Sequence, residues 1–392
     1  MKRYLLIIFL AAVILSTMSI LDTKISSATE IEARTGFTFD WFTSSGHKKA
    51  NTGQAAEATN GYQFSIPVKI EMNFPKFSAD ILTGFAKTQF KVSGGEKRSL
   101  ANSLDTKLNL AYPVSDQPSF SLPFDILLGL DFNLPTGRTN LKEKDLVLLS
   151  GQDLVSITSF GEGLNINPTI SLAKEWENLS AGFGLGYVWR GKYDYSSTLK
   201  EYDPGDVVNF TAQLNYDFLT NYQAHFFADY AYTNKDTVEG EDSFQEGDFL
   251  LLGLGLNYNQ SNWDVKADLQ SILRGKSKLV KEETLPIPAA FSTEDKNSHG
   301  DEWIADLSWR YSLSDQTSIN SQMEFLWADE NDYPSSDSMD IGKKQKLSLG
   351  VGASRQINTR LDADVLVKGF LLNQNDRDYQ GISLITRLTT PF

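Results

Sequence analysis

The strongest constraint in this sequence is an alternation of apolar and polar residues with a period of two, repeated along most of the chain. From Trp303 to Tyr311, the residues Trp303, Ala305, Leu307, Trp309 and Tyr311 fall on one face, and Asp306, Ser308 and Arg310 on the other. Leu361, Ala363, Val365 and Val367 oppose Asp362, Asp364 and Lys368, while Val265, Ala267 and Leu269 oppose Asp264, Lys266, Asp268 and Gln270. Successive strand side chains point to opposite sides, so these segments make two-faced strands. A helix would scatter the same residues around its circumference. Both faces then need an environment, one apolar and one wet.

The connections are of two kinds that take turns. Short ones stand at 74–76, 115–118, 177–178, 220–221, 261–262, 314–316 and 357–359, each carrying the Asn, Asp or Pro that suits a tight turn. Longer, charge-rich ones stand near 44–61, 93–103, 134–164, 191–205, 235–246, 275–299, 329–343 and 372–379. This alternation predicts an all-β fold, a transmembrane antiparallel up-and-down β-barrel with one smooth rim and one decorated rim. The count gives about sixteen strands, within a range of roughly 14–18. Gly182, Gly184 and Gly186, and again Gly253 and Gly255, occupy the non-apolar parity, where they would leave room for lumen water or an inserted loop.

Composition supports a barrel over a soluble sheet protein. Aromatics make up 12% of the 392 residues although the mean hydropathy is −0.30, as expected when half of each strand meets lipid and half meets water. There is no cysteine, so stability must come from elsewhere, and a closed barrel supplies it by pairing every backbone group between strands. A net charge of −14 argues against nucleic acid as a partner. Met1-Lys2-Arg3 followed by the apolar run Tyr4 to Leu15 has the layout of a secretory signal, with cleavage expected after Ala28. The domains are then a signal peptide, 1–28, and a barrel, 29–392.

The last segment places Ile382, Leu384, Leu388 and Phe392 at one parity. It resembles the terminal signature of Gram-negative outer-membrane barrels, which implies the barrel-assembly machinery as a partner and lipid with lipopolysaccharide as surroundings. Pro391 departs from that signature, since proline removes one ladder donor. The overall plan resembles the sixteen-stranded general porins, whose third external loop folds into the lumen. Here the third long connection, 134–164, is also the longest, and Ser159-Phe160-Gly161-Glu162-Gly163 is similar to the Phe-Gly element of porin constriction loops. Asn133-Leu134-Pro135-Thr136-Gly137 resembles a strand end of the outer-membrane transporter family linked to phenol-degradation pathways, which implies uptake of small organic, including aromatic, molecules.

The polar parity supplies the candidate pore-lining residues: Arg34, Lys69, Glu71, Lys107, Asp125, Asp131, Arg138, Arg190, Asp229, Lys266, Asp268, Arg310, Glu324, Asp364 and Lys368. Opposed rows of charge would order water and favour polar solutes, and the small acidic excess predicts a mild preference for cations. The chain has three histidines, and none stands in a nucleophile–base pattern, so no catalytic residue, cofactor or metal site is expected. His225 reads as a hydrogen-bonded lumen residue. The carboxylate-rich loops 234–242 and 329–340 lack a complete calcium-loop spacing. The expected function is a passive channel for small hydrophilic solutes. A selective transporter for small organic molecules and a sheath around a periplasmic partner are the alternatives. An inward-folded 134–164 segment would favour the channel, a closed lumen with an apolar side pocket the transporter, and a wide free lumen the sheath. A homotrimer would require a flat apolar patch on the outer wall.

Overall fold

Each two-faced segment pairs antiparallel with its neighbours in the chain. In order they are β1 (Glu30–Ser45), β2 (Ala58–Asn73), β3 (Ser78–Val92), β4 (Lys97–Ser103 continued by Thr106–Pro113), β5 (Asp125–Leu134), β6 (Asn165–Glu175), β7 (Leu179–Arg190) and β8 (Val207–Leu219). Then follow β9 (Tyr222–Thr233), β10 (Phe249–Gln260), β11 (Trp263–Arg274), β12 (Glu302–Ser314), β13 (Thr317–Ala328), β14 (Lys344–Asn358), β15 (Leu361–Gln374) and β16 (Arg377–Pro391). β16 returns to β1, from Glu32 opposite Pro391 to Ser45 opposite Asp378, and closes a barrel of sixteen strands. Pro391 is the last residue of its strand, where a missing donor interrupts nothing further along the ladder.

The computed structural model describes residues 30–45, 58–92, 95–114, 123–149, 151, 153–281, 290–334, 341–374 and 377–391. The signal segment 1–28, the 115–118 turn, His47, the 335–340 part of the acidic loop and Phe392 lie outside the described residues. No described helix is long and apolar enough to cross a membrane. Crossing is by strands.

Two expected loops are mostly wall. Lys97–Ser103 pairs with β3 and belongs to β4, so only 93–96 separates the two strands. β15 runs to Gln374 and β16 starts at Arg377, paired from Gln374↔Arg377 onward, so the 372–379 stretch is largely ladder. Polarity misleads in both places for one reason. Strands that rise past the lipid meet water on their outer face, so polar residues there do not end the pairing.

The glycine slots also differ from expectation. They hold side chains from neighbouring strands: a Cβ at Gly253 would lie 2.1 Å from the Phe227 ring, at Gly255 2.1 Å from the His225 ring, and at Gly184 2.4 Å from Thr211 Oγ1. The wall is filled across its own strands there.

The outward parity is apolar and exposed, including Leu128, Ile170, Phe183, Leu254, Val351 and Leu371. Rings gather at two heights. Near the short turns stand Trp176, Tyr222, Tyr258, Trp263 and Tyr311, with the Trp263 and Tyr311 ring centres 4.8 Å apart. Toward the other rim stand Trp41, Trp189, Trp303 and Trp327. Trp303 and Tyr311 mark the two heights on one strand, eight residues apart, which at about 3.3 Å per residue is roughly 26 Å along a tilted strand. With a tilt of about 35–45° that is roughly 20 Å of height, so the rings lie just inside the edges of an apolar band about 25 Å tall.

One level of the wall is irregular across four neighbouring strands. Gly36 on β1, Pro67 on β2, Gly84 on β3 and Leu104 in the interruption of β4 follow one another across the sheet. A Cβ at Gly36 would lie 2.0 Å from the Thr386 carbonyl oxygen, so only glycine permits that approach. On the long-loop side, Tyr202–Asp203, Asp236–Val238, Glu241–Gln245, Lys278–Lys281 and Ala290–Thr293 form a separate five-stranded sheet. Asp236 ties it to the rim, accepting from the Tyr202 hydroxyl (2.6 Å) and the Gly205 amide (2.7 Å). Burial, and then that bond, raise the Tyr202 phenol well above its ordinary value.

Candidate functional site

Where β5 ends at Leu134, the chain turns into the lumen. The turn is fixed by Asp105, which sits in the interruption of β4. Its carboxylate accepts from the Gly137 amide (2.8 Å), the Glu162 amide (2.7 Å) and Asn133 Nδ2 (2.7 Å), so it clamps both ends of the 135–164 segment. Gly137 has no room for a side chain, since a Cβ would lie 1.8 Å from the Phe160 carbonyl oxygen.

Beyond the clamp the segment makes a short 3₁₀ helix, Glu143–Leu148, and buries its apolar side against the wall around the seam. Leu141, Leu148, Leu154, Val155 and Phe160 pack with Phe42 of β1, Phe90 of β3, Leu100 of β4, and Phe370 and Leu372 of β15. Leu148, Phe160, Phe42 and Phe90 are fully buried or nearly so. Each such side chain contributes about 1.5–3 kcal/mol. Exposed ion pairs contribute roughly 0–1 kcal/mol, so burial decides where the segment rests. Polar contacts decide its register. Gln63 of β2 donates to the Ile157 carbonyl (2.8 Å) and accepts from the Ile157 amide (2.7 Å). Asp40 of β1 accepts from the Ser156 amide (2.8 Å), and Lys344 of β14 reaches Asp153 at 3.1 Å.

The next connection, 191–206, is stitched onto the inward segment from above. Asn140 donates to the Asp194 carbonyl (2.6 Å), Ser197 to the Leu141 carbonyl (2.7 Å), and Glu143 accepts from the Ser196 and Thr198 hydroxyls. These hydroxyls, Ser196 foremost, hold the Glu143 carboxyl below its ordinary value.

The register places Arg34, Lys69, Glu71, Lys107, Asp125, Asp131, Arg190, Asp229, Lys266, Asp268, Arg310, Glu324, Asp364 and Lys368 on the parity shared with Asp40 and Gln63, against which the inward segment packs. They gather at three heights. Toward the short turns, Arg34 pairs with Glu32 and with Glu71 (2.9 Å), and Lys69 pairs with Glu71. There Arg34, Lys266, Arg310 and Asp364 line a cavity of about 1420 Å³ together with Asp264, Asp362 and Arg387. At mid-height, His225, Gly255, Asp268, Asp306, Glu324 and Ser348 succeed one another across β9–β14. His225 Nε2 lies 2.7 Å from Asp268, reaching it through the Gly255 slot, and Lys368 lies 3.1 Å from Glu324. At the long-loop end, Arg138, on the inward segment itself, and Arg190, at the end of β7, line a second cavity of about 340 Å³. Asp131 accepts from Asn167 (3.0 Å), whereas Lys107, Asp125 and Asp229 make no ion pair among the described residues.

Period-two reading gave the parity of these residues but not which inward residues hold the segment. Asp40 and Gln63 are visible in the sequence only as polar positions on strand parity. Among the described residues no group of three or more His, Asp or Glu side chains is placed to hold a metal ion.

No family model matches the chain, and no curated protein matches its sequence. Among solved structures it is similar to the CymD monoaromatic hydrocarbon channel, at 11% identity and a TM-score of 0.42, covering 92% of this chain and 88% of that one. It is similar to the Ralstonia pickettii toluene transporter TbuX at 9% identity and a TM-score of 0.40, covering 93% and 90%. It is similar to Pseudomonas aeruginosa OccK7 at 10% identity and a TM-score of 0.43, covering 93% of this chain and 100% of that one. These similarities are low, and the strand pairing and the closed seam are what establish the barrel.

Proposed function

We propose that the protein is an outer-membrane channel through which small hydrophilic solutes diffuse passively. The observation that supports it is where the inward segment hides its apolar side. Leu148, Phe160 and their neighbours are spent against β1–β4 and β15, so they offer little apolar surface to the passage. What remains on the opposite wall is polar: Thr211 and Gln213 of β8 face inward and are exposed, and the 1420 Å³ cavity carries charges of both signs. Mixed charge around a wet passage favours polar solutes over apolar ones. The sheath reading needs a free lumen, and the inward segment occupies it. Export through segment 1–28, insertion by the assembly machinery through β16, and lipopolysaccharide around the charged rim belong to the same proposal.

The test is single-channel recording of the purified barrel in a planar bilayer. Stable ohmic steps are expected, and they should grow when residues 142–158 are replaced by a short glycine-serine link. A barrel that inserts and stays silent in both forms overturns the channel reading.

A further inference from the structure

The 340 Å³ cavity lies between the inward segment and the 191–206 connection, and backbone bonds anchor both. The Asp105 clamp holds Gly137 and Glu162, the Arg138 amide donates to the Phe160 carbonyl, and Gly191 donates to the Leu164 carbonyl (2.7 Å). Gly163 adopts φ +81°, and a Cβ there would meet the Tyr193 ring at 2.9 Å, so the ring is seated against bare backbone.

The lining sets two arginines, without ion pairs among the described residues, beside aromatic rings. Arg34, Lys69, Arg274 and Lys368 have carboxylate partners, whereas Arg138 makes no side-chain hydrogen bond or ion pair among the described residues. Arg190 makes one long bond, to the Gly205 carbonyl at 3.4 Å, and no ion pair. Glu162 is the one carboxylate on the lining, and it is exposed. Asp105, behind the wall, has its oxygens taken by three amide donors but keeps its charge, and Asp206 accepts from the Arg190 amide at 2.9 Å. On the lining itself two guanidiniums stand with one carboxylate. Leu149, Tyr193 and Tyr195 supply apolar and aromatic wall, while Leu141 and Phe160 keep their side chains in the packed core behind it. The Tyr193 hydroxyl has no hydrogen-bond partner among the described residues. Burial, and then Glu162, push its phenol up to about 12, so it stays protonated and able to donate across the neutral range.

We propose that this cavity is a binding site for a small organic monoanion, a carboxylate on an aromatic or compact apolar body, with Arg138 and Arg190 on the carboxylate and Tyr193 and Tyr195 beside the body. Arginine presents planar paired donors that match a carboxylate. A volume near the lower end of small-molecule pockets, which begin at about 300 Å³, sets the size. The site rests on the channel reading only for its purpose, since it would load solute at the long-loop mouth. The acidic excess of the remaining lumen bears on small-ion flux, whereas this site acts at contact distance.

Isothermal titration of the purified, detergent-folded barrel with sodium benzoate tests it, with benzyl alcohol as the uncharged control. Saturable one-to-one binding of benzoate is expected, with benzyl alcohol at least tenfold weaker. Arg138→Gln and Arg190→Gln should each weaken benzoate at least tenfold, with retained heat-modifiable gel mobility as the check on folding. Glu162→Gln should tighten it severalfold, because a competing carboxylate is removed. Absent binding to the unmodified barrel, benzyl alcohol binding as tightly as benzoate, or a Glu162→Gln variant that binds more weakly overturns the proposal. Because titration reads no current, binding by a silent barrel overturns the channel alone, and conduction without binding overturns the site alone.

Discussion

Asp105 shows how much of this molecule depends on single side chains placed at interruptions of the wall. Three donors converge on its carboxylate, so Asp105→Ala leaves the Gly137 and Glu162 amides and Asn133 without their acceptor. Orphaned donors cost about 1–3 kcal/mol each when they stay dry. The expected outcome is an inward segment that visits the lumen wall less firmly, read as larger and noisier current steps with an intact barrel on a gel. Glu143 gives a pH-dependent counterpart. Its carboxyl is held below 4.5 by the Ser196 and Thr198 hydroxyls, so the latch contributes fully above the ordinary glutamate value and is lost as pH falls through the lower folded value. Acid should therefore loosen the 191–206 connection, and Glu143→Gln should show the same loosening at neutral pH, measured as faster proteolysis of that connection. Neither role was legible in the sequence. Asp105 and Glu143 look like any carboxylate in a polar stretch until the fold brings their partners from 28 to 57 residues away.

At the scale of elements, the strands were legible and their ends were not. Alternation identified wall segments such as Trp303–Tyr311 because lipid on one side and water on the other impose opposite demands on neighbouring residues. That contrast vanishes above the lipid, which is why Lys97–Ser103 and the tip of the β15–β16 hairpin read as loop. The inward position of 135–164 was open in the sequence, since its apolar residues could have served lipid, a partner or the lumen. The Gly36–Pro67–Gly84–Leu104 level is a further element that no periodicity reveals. A Cβ at Gly84 would sit 2.8 Å from the Ile66 carbonyl oxygen, so Gly84→Val must displace backbone at the level where the wall changes course. A loss of about 1–3 kcal/mol is expected, read as a lower unfolding midpoint in urea. The same change at exposed Gly240, where a Cβ meets nothing, should cost a comparable amount, about 1–3 kcal/mol, through its φ of +90° alone.

For the whole molecule, the charge balance on the inward parity is the collective property to measure. Asp268, Asp306 and Glu324 adjoin one another at mid-height, with Lys368 answering Glu324 and His225 answering Asp268. An acidic surplus near the middle of the passage should draw small cations ahead of small anions. Reversal potentials in a salt gradient are expected to fall on the cation side and to approach zero in Asp306→Asn; anion selectivity of the unmodified barrel would contradict the charge reading. The seam between β1 and β16 has a separate consequence, in time. Those two strands are the first and last of the wall, so the ring cannot shut until Arg377–Pro391 has arrived, and β1 must wait with an open edge. The loop-closure entropy for that contact spans nearly the whole barrel and is recovered only at the final step. Closure of the wall therefore falls at the end: until the last hairpin docks there is no sealed lumen, Phe370 and Leu372 are not in place against the inward segment, and an edge stays exposed for which a chaperone and a neighbouring chain would compete.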